Sequence, residues 1–258
     1  MFHLYGLSIG VGLLLGIFVA QKKATHFKIN QKLLEDSLVW IAFPALVGAR
    51  LYHLSTDWHL YEKASFLEII SIWNGGLGLF GALLGGLVGV ALFSVVKTYK
   101  QKKTSFFLSF FTVLDLLSFG APIAQVIGRF GNYFNQELYG FATTLPWGIF
   151  IKGEKYHPLF AYEALGTLSI FFLLHWMGNK KKFPIGKGQY ACMYFTLYAV
   201  LRFWLEFLRI ETARMSGLFG FFSTAQWVCV LICFISISIF WLRRHSDRGI
   251  EWELQTLL

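Results

Sequence analysis

The chain has 258 residues, of which 56% are hydrophobic, 19% aromatic and only 14% charged, with a formal net charge of +9. Soluble domains carry about a quarter charged residues, so this composition excludes an ordinary soluble enzyme and points to a membrane protein. The basic excess is not that of a nucleic-acid binder, because it gathers in four short clusters, each just outside an apolar run: Lys22, Lys23, Lys28 and Lys32; Lys97, Lys100, Lys102 and Lys103; Lys180, Lys181, Lys182 and Lys187; Arg243, Arg244 and Arg248. Such clusters are topology signals and contacts for anionic lipid head groups.

A membrane-spanning helix needs about 20 apolar residues. The sequence offers seven such runs, at 2–20, 34–54, 74–96, 105–127, 158–177, 189–208 and 222–242. The expected fold is therefore an all-α polytopic membrane protein with seven transmembrane helices, read as one integral membrane domain over 1–258. Placing the basic clusters inside puts the N-terminus outside and the C-terminus in the cytoplasm. The first run lacks a basic segment before it, so it reads as a retained helix and not a signal peptide. Outer-face connections are expected at about 55–73, 128–157 and 209–221, and Trp58, Trp73, Tyr139 and Trp147 suit an interfacial belt. In the third run, Gly81, Gly85 and Gly89 are four apart and predict close helix contact. Gly75 and Gly76 at its outer end predict loosened backbone that can line a cavity. Cys192, Cys229 and Cys233 lie in apolar runs without a CxxC pair and read as buried thiols.

Charges inside the apolar runs are costly, about 2.5–3.5 kcal/mol each on insertion scales, and mark functional sites by default. Arg202 and Glu206 are four apart on one predicted helix, with Tyr198 a turn before and Arg209 a turn after. Arg50 adds a cation near the outer end of the second run and Tyr5 a hydroxyl near the outer end of the first. The stretch GRFGNYFNQELYG, residues 128–140, adds Arg129, Asn132, Asn135, Gln136 and Glu137. Guanidinium forks match phosphate, so a shared polar cavity of this kind fits a phospholipid head group. This reasoning leaves chemistry and transport both open.

The same stretch resembles the signature of the prolipoprotein diacylglyceryl transferase family, G-R-x-G-N-[FY]-x-N-x-E-x-x-G, at Gly128, Arg129, Gly131, Asn132, Asn135, Glu137 and Gly140. The likeness extends along the chain: YGL from Tyr5, GAR ending at Arg50, WNGGL from Trp73, HPxxxYE from His157 to Glu163, Arg202 with Glu206, and Gln226. It implies transfer of the diacylglyceryl group of phosphatidylglycerol to the lipobox cysteine of a preprolipoprotein, with glycerol 1-phosphate released, in the bacterial plasma (inner) membrane with the site toward the outer leaflet. The implied partners are phosphatidylglycerol, the signal peptide and lipobox of the preprolipoprotein, and the membrane, with no nucleic acid. The implied catalytic residues are Arg129 and Arg202 on phosphate, Glu206 orienting Arg202, and Glu137 as proton acceptor. Tyr5, Arg50, Gly75, Gly76, Asn132, Asn135, Gly140 and His157 would form the substrate-binding surface.

Two departures stand out. Phe80 occupies a position where many family members have His, which leaves the general base open between residues such as His53 and His157. The middle of HPLFAYE differs from the Thr-Gln-Leu usual there. A phospholipid-binding or lipid-transporting family member without transferase activity is the alternative. No P-loop, dinucleotide-binding pattern or clustered metal ligands occur in the sequence, so no metal or other cofactor is expected.

Overall fold

A computed structural model describes residues 4–62, 64–101, 105–135, 137–151, 153–210 and 220–244. Lys63, Lys102, Lys103, Gln136, Arg248 and most of the expected 209–221 connection, residues 211–219, lie outside the described residues. Among the described residues, seven helices are long and apolar enough to cross a membrane: α1 (Leu4–His26), α2 (Gln31–Thr56), α4 (Leu79–Lys100), α5 (Phe106–Phe134), α6 (Leu159–Asn179), α7 (Gln189–Leu205) and α8 (Thr224–Arg244). A short helix, α3 (Phe66–Ile70), stands between α2 and α4. Its start is fixed by a capping box in which Ser65 and Glu68 satisfy each other's backbone N–H groups. The described residues fall into two compact units, 28–114 and 4–27 with 115–244.

In the first of these units, α2 and α4 pack with their backbones in contact. A Cβ on Gly48, Gly81, Gly85 or Gly89 would run into backbone atoms of the facing helix, which is the close approach expected of small residues four apart. Gly75 and Gly76, just before α4, have φ of 87° and 72°, backbone conformations that glycine adopts without steric cost.

In the other unit, α1 lies against α5 through Gly12, Gly16, Gly120 and Ala124. The buried Asp115 carboxylate of α5 accepts hydrogen bonds from the backbone N–H groups of Gly186, Gly188 and Ala191 at 2.9, 2.9 and 3.1 Å. It caps the N-terminus of α7 from another helix, satisfying donors that a helix start leaves open. At the end of α1, Lys23 is buried and donates to Asn179 Oδ1 of α6 at 2.6 Å.

The expected connection at 128–157 starts later than the sequence predicted, because α5 continues to Phe134. Arg129 and Asn132 bond to each other one turn apart at 3.1 Å, so the helix pairs its own polar groups and has no need to unwind. The connection that follows is not purely coil. It carries an antiparallel hairpin, β1 (Ile149–Ile151) and β2 (Glu154–Tyr156), with Ile149 opposite Tyr156. Gly153, with φ of 93°, closes the turn. Single bridges join Ala142 to Tyr156 and Gly140 to Arg209.

Candidate functional site

The polar residues of the signature stand at the C-terminal end of α5, facing α6 and α7. Arg129 ion-pairs with Glu163 of α6 and gives a second N–H to Asn132. Tyr198 of α7 donates to the same Glu163 oxygen at 2.7 Å. Glu163 is 2% exposed, a burial that an isolated carboxylate would not tolerate and that the guanidinium makes possible. The Nε of Arg129 is buried and has no partner among the described residues. Buried donors are rarely left so.

Arg202 sits one turn beyond Tyr198 on α7 and pairs with Glu206 at 2.7 Å. Arg209 approaches the same carboxylate at 3.7 Å, and Ser223 donates to its other oxygen at 3.2 Å. Gln226 of α8 accepts the backbone N–H of Ser223 at 2.9 Å and donates to the Phe203 carbonyl at 3.3 Å. Residues four apart on a helix are neighbours, so the Arg129 and Arg202 clusters meet along one face of α7.

The rest of the signature ties these clusters together. Glu137 folds back on α5: its backbone N–H reaches the Asn132 carbonyl at 2.9 Å, and its carboxylate accepts from the Asn132 and Asn135 amides at 3.4 and 3.3 Å. Gly140 donates its N–H to the His157 carbonyl at 2.8 Å, and a Cβ there would meet the Leu208 carbonyl oxygen at 2.5 Å and His157 Cβ at 3.1 Å. Only glycine lets this loop lie against the chain that follows Arg202. Tyr5 of α1 packs its ring on Gly131, where a Cβ would come within 2.7 Å of it. His157 Nδ1 is 3.1 Å from the Tyr162 hydroxyl, which also accepts from Trp147 Nε1 at 2.8 Å. On the hairpin, the Tyr156 hydroxyl donates to Glu154, which raises its pKa.

In the unit formed by 28–114, the Arg50 guanidinium bonds to backbone carbonyls. Its Nε donates to the Ile69 carbonyl at 2.7 Å, Nη1 to Gly75 and Gly76 at 2.9 and 3.1 Å, and Nη2 to Glu68 at 2.7 Å. The guanidinium is thus committed to backbone, and it lies over the Tyr61 ring at 5.0 Å. Gly75 and Gly76 turn their carbonyls onto it, which is what their positive φ values accomplish. His53 lies between Asp57 at 3.1 Å and the Tyr61 hydroxyl at 3.1 Å, both ring nitrogens engaged. Phe80 packs against Tyr52, ring centroids 5.9 Å apart, and is 46% exposed.

In the sequence, Glu163 is the last residue of the HPxxxYE motif and Tyr198 a neighbour of Arg202, and neither has an assigned role there. The signal was available: a glutamate within the apolar run LFAYEALGT is an intramembrane charge needing a partner. Which partner it takes is not written locally, because Arg129 is 34 residues away.

Seven helices apolar enough to cross a membrane, with arginines paired to buried glutamates on α5, α6 and α7, define a polytopic membrane protein with a polar cluster among α5, α6 and α7. The family described as prolipoprotein diacylglyceryl transferase matches residues 1–242. A relative from Gloeobacter violaceus is 34% identical over 255 residues, covering 95% of this chain and 90% of its own. One from Finegoldia magna is 39% identical over 215 residues, covering 83% and 82%, and one from Clostridioides difficile is 34% identical over 218 residues, covering 83% and 81%. Each carries the name phosphatidylglycerol–prolipoprotein diacylglyceryl transferase. The chain belongs to the prolipoprotein diacylglyceryl transferase family.

Proposed function

We propose that this protein transfers the diacylglyceryl group of phosphatidylglycerol to the lipobox cysteine thiol of preprolipoproteins, the first step of bacterial lipoprotein maturation. The observation that carries the reading is the buried, unpartnered Nε of Arg129 beside the Arg202 cluster. A phosphodiester bound there would complete that donor and place its charge between two guanidinium groups.

The cysteine sulfur attacks the glyceryl carbon that bears the phosphate ester. A C–S bond forms, the C–O bond breaks, and its electron pair leaves on glycerol 1-phosphate. The thiol, with a reference pKa near 8.5, gives up its proton, which ends on the departing phosphate or on solvent. Negative charge grows on the leaving phosphate, and preorganised donors aimed at growing charge are worth about 10²–10³ in rate each. Arg129 and Arg202 supply them, with Glu163 and Glu206 holding the guanidinium groups in place. Glu137 is the carboxylate of the signature that is not paired with an arginine among the described residues, and it is exposed. It takes the proton-acceptor role in this scheme. Tyr5, Asn132, Asn135, Gly140 and His157 shape the surface around the head group. Arg50, Gly75 and Gly76 act at one remove, by fixing the segment that precedes α4.

The basic clusters support an N-terminus outside, a C-terminus in the cytoplasm and a site toward the outer leaflet of the bacterial plasma membrane. The segments before α4 and between α5 and α6 then lie at the outer face, with Trp58, Trp73 and Trp147 exposed to the interface. The purified protein, phosphatidylglycerol and a lipobox peptide should yield a diacylglyceryl thioether by mass spectrometry. The product should vanish with a cysteine-to-serine peptide and with Arg129→Ala. Near-normal product from Arg129→Ala would remove the phosphate-binding role, and no product from the unaltered protein would overturn the reading.

A further inference from the structure

One turn from the Arg129 cluster, toward the middle of the helices, lies a second tier of polar groups that nothing so far explains. Gln125 stands four residues before Arg129 on α5, Thr167 four after Glu163 on α6, and Tyr194 four before Tyr198 on α7. Since α5 and α7 approach the cluster by their C-terminal ends and α6 by its N-terminal end, all three steps run the same way along the bundle. Residues four apart share a helix face, so the three side chains underlie the three that form the ion-paired cluster. Tyr194 is buried and its ring stacks on that of Tyr198, centroids 6.2 Å apart.

The tier is unsatisfied. Gln125 Oε1 and Thr167 Oγ1 are both buried without a hydrogen-bond partner among the described residues. Thr167 is 1% exposed, and it does not return its hydroxyl to its own helix as Ser169 does to the Leu165 carbonyl at 3.0 Å. Ser109 and Thr112 also lack partners, but they lie at the opposite end of α5, far along the helix from any arginine of the site. Among the described residues, the orphaned atoms of Gln125 and Thr167 belong to side chains one helical turn from Arg129 and from its partner Glu163 on their own helices. Buried polar groups are completed by protein, water or ligand.

We propose that Gln125, together with Thr167, binds the hydroxyl groups of the phosphatidylglycerol head group and so contributes to choosing this lipid over others with the same phosphodiester. The inference rests on the transferase reading, in which the phosphate occupies Arg129. One helical turn is about 5.4 Å, a span that a three-carbon glycerol covers when its phosphate sits on Arg129 Nε. A hydroxyl both donates and accepts, so it can serve the oxygen or the NH2 of the Gln125 amide as well as the Thr167 hydroxyl. An alkyl head group would leave both buried groups unpaired. A site built to bond a substrate hydroxyl disfavours the analogue lacking it for that reason. The same contacts retain the departing glycerol phosphate until the thioether has formed.

The test compares phosphatidylglycerol with phosphatidyl-1-propanol, which has the same phosphodiester and chains but no head-group hydroxyl. kcat/KM for each lipid is measured with a lipobox peptide, using the full chain in nanodiscs, for the unaltered protein, Gln125→Leu and Thr167→Val. The unaltered protein should prefer phosphatidylglycerol by at least about tenfold, of the order of one or two hydrogen bonds. Gln125→Leu should lower kcat/KM for phosphatidylglycerol about tenfold while leaving the propanol lipid within twofold, so that the preference collapses; Thr167→Val should act in the same direction more weakly. Equal loss on both lipids would make Gln125 a packing residue, and no change on either would mean that water alone completes the tier. Either result overturns the proposal. If neither lipid reacts with the unaltered protein, the transferase reading falls. Relative binding of the two lipids by native mass spectrometry, with and without Gln125→Leu, then decides the subsite separately.

Discussion

Glu163 is the residue on which the Arg129 cluster turns, and replacing it gives the sharpest test of how the site is held. Its carboxylate is 2% exposed and takes both the Arg129 guanidinium and the Tyr198 hydroxyl, while the Arg129 side chain is 22% exposed. Removing one partner of a buried ion pair costs about 3–5 kcal/mol, because the other charge stays buried and unpaired. Arg129 keeps its bond to Asn132 and some exposure, which places Glu163→Leu at the lower end, about 3 kcal/mol. At about 2–4 °C per kcal/mol for a chain of this size, melting should fall by about 6–12 °C. Activity should fall further, by about 10²-fold, since a guanidinium displaced by about 1 Å would no longer meet the phosphate that the proposed function assigns to it. Glu163→Gln keeps an acceptor for Tyr198 without the charge and should lie between Glu163→Leu and the unaltered protein on both scales. The double variant Arg129→Leu with Glu163→Leu should regain most of the lost melting temperature but none of the activity, as apolar replacement of a whole buried pair is close to neutral. The assays are thermal unfolding in detergent and thioether formation from phosphatidylglycerol. A Glu163→Leu protein that melts within about 2 °C of the unaltered one and keeps half its activity would refute the argument.

Arg50→Lys preserves charge but replaces a planar fork, which makes four backbone hydrogen bonds, with a point donor; amide exchange over 66–78 should speed up about tenfold or more, and unchanged protection would remove the clamp. Asp115→Asn should cost about 2–3 kcal/mol, because a buried carboxylate serving three backbone N–H groups becomes an amide with its own donors to place. Its effect should show as a lower melting temperature with kcat/KM per folded molecule nearly intact, and a selective loss of activity would assign Asp115 a more direct role.

The departure at Phe80 bears on chemistry more than on folding. A phenyl ring has no ionisable group and so transfers no proton; the side chain is 46% exposed and its ring meets Tyr52. His53, the substitute nearest in sequence, has its ring nitrogens between Asp57 and Tyr61. Glu137 is exposed beside Asn132 and Asn135.

The sequence by itself determined the class of protein and its seven spans, because hydropathy over about 20 residues and the placement of lysines are local properties. The glycine spacing of α4 likewise announced its close contact with a neighbour, and the 128–140 motif announced the family. The tertiary structure decided who answers each charge. Arg50 holds the carbonyls of Glu68, Ile69, Gly75 and Gly76, and these lie 18–26 residues away, beyond what any local pattern announces. Glu163 received a partner only when α6 came to face α5, and α5 ran past its expected end because Arg129 and Asn132 could satisfy each other along the helix. Period and composition fix which segments become helices in lipid. The pairing of buried polar groups depends on distances across the bundle, which exist only once the helices have packed.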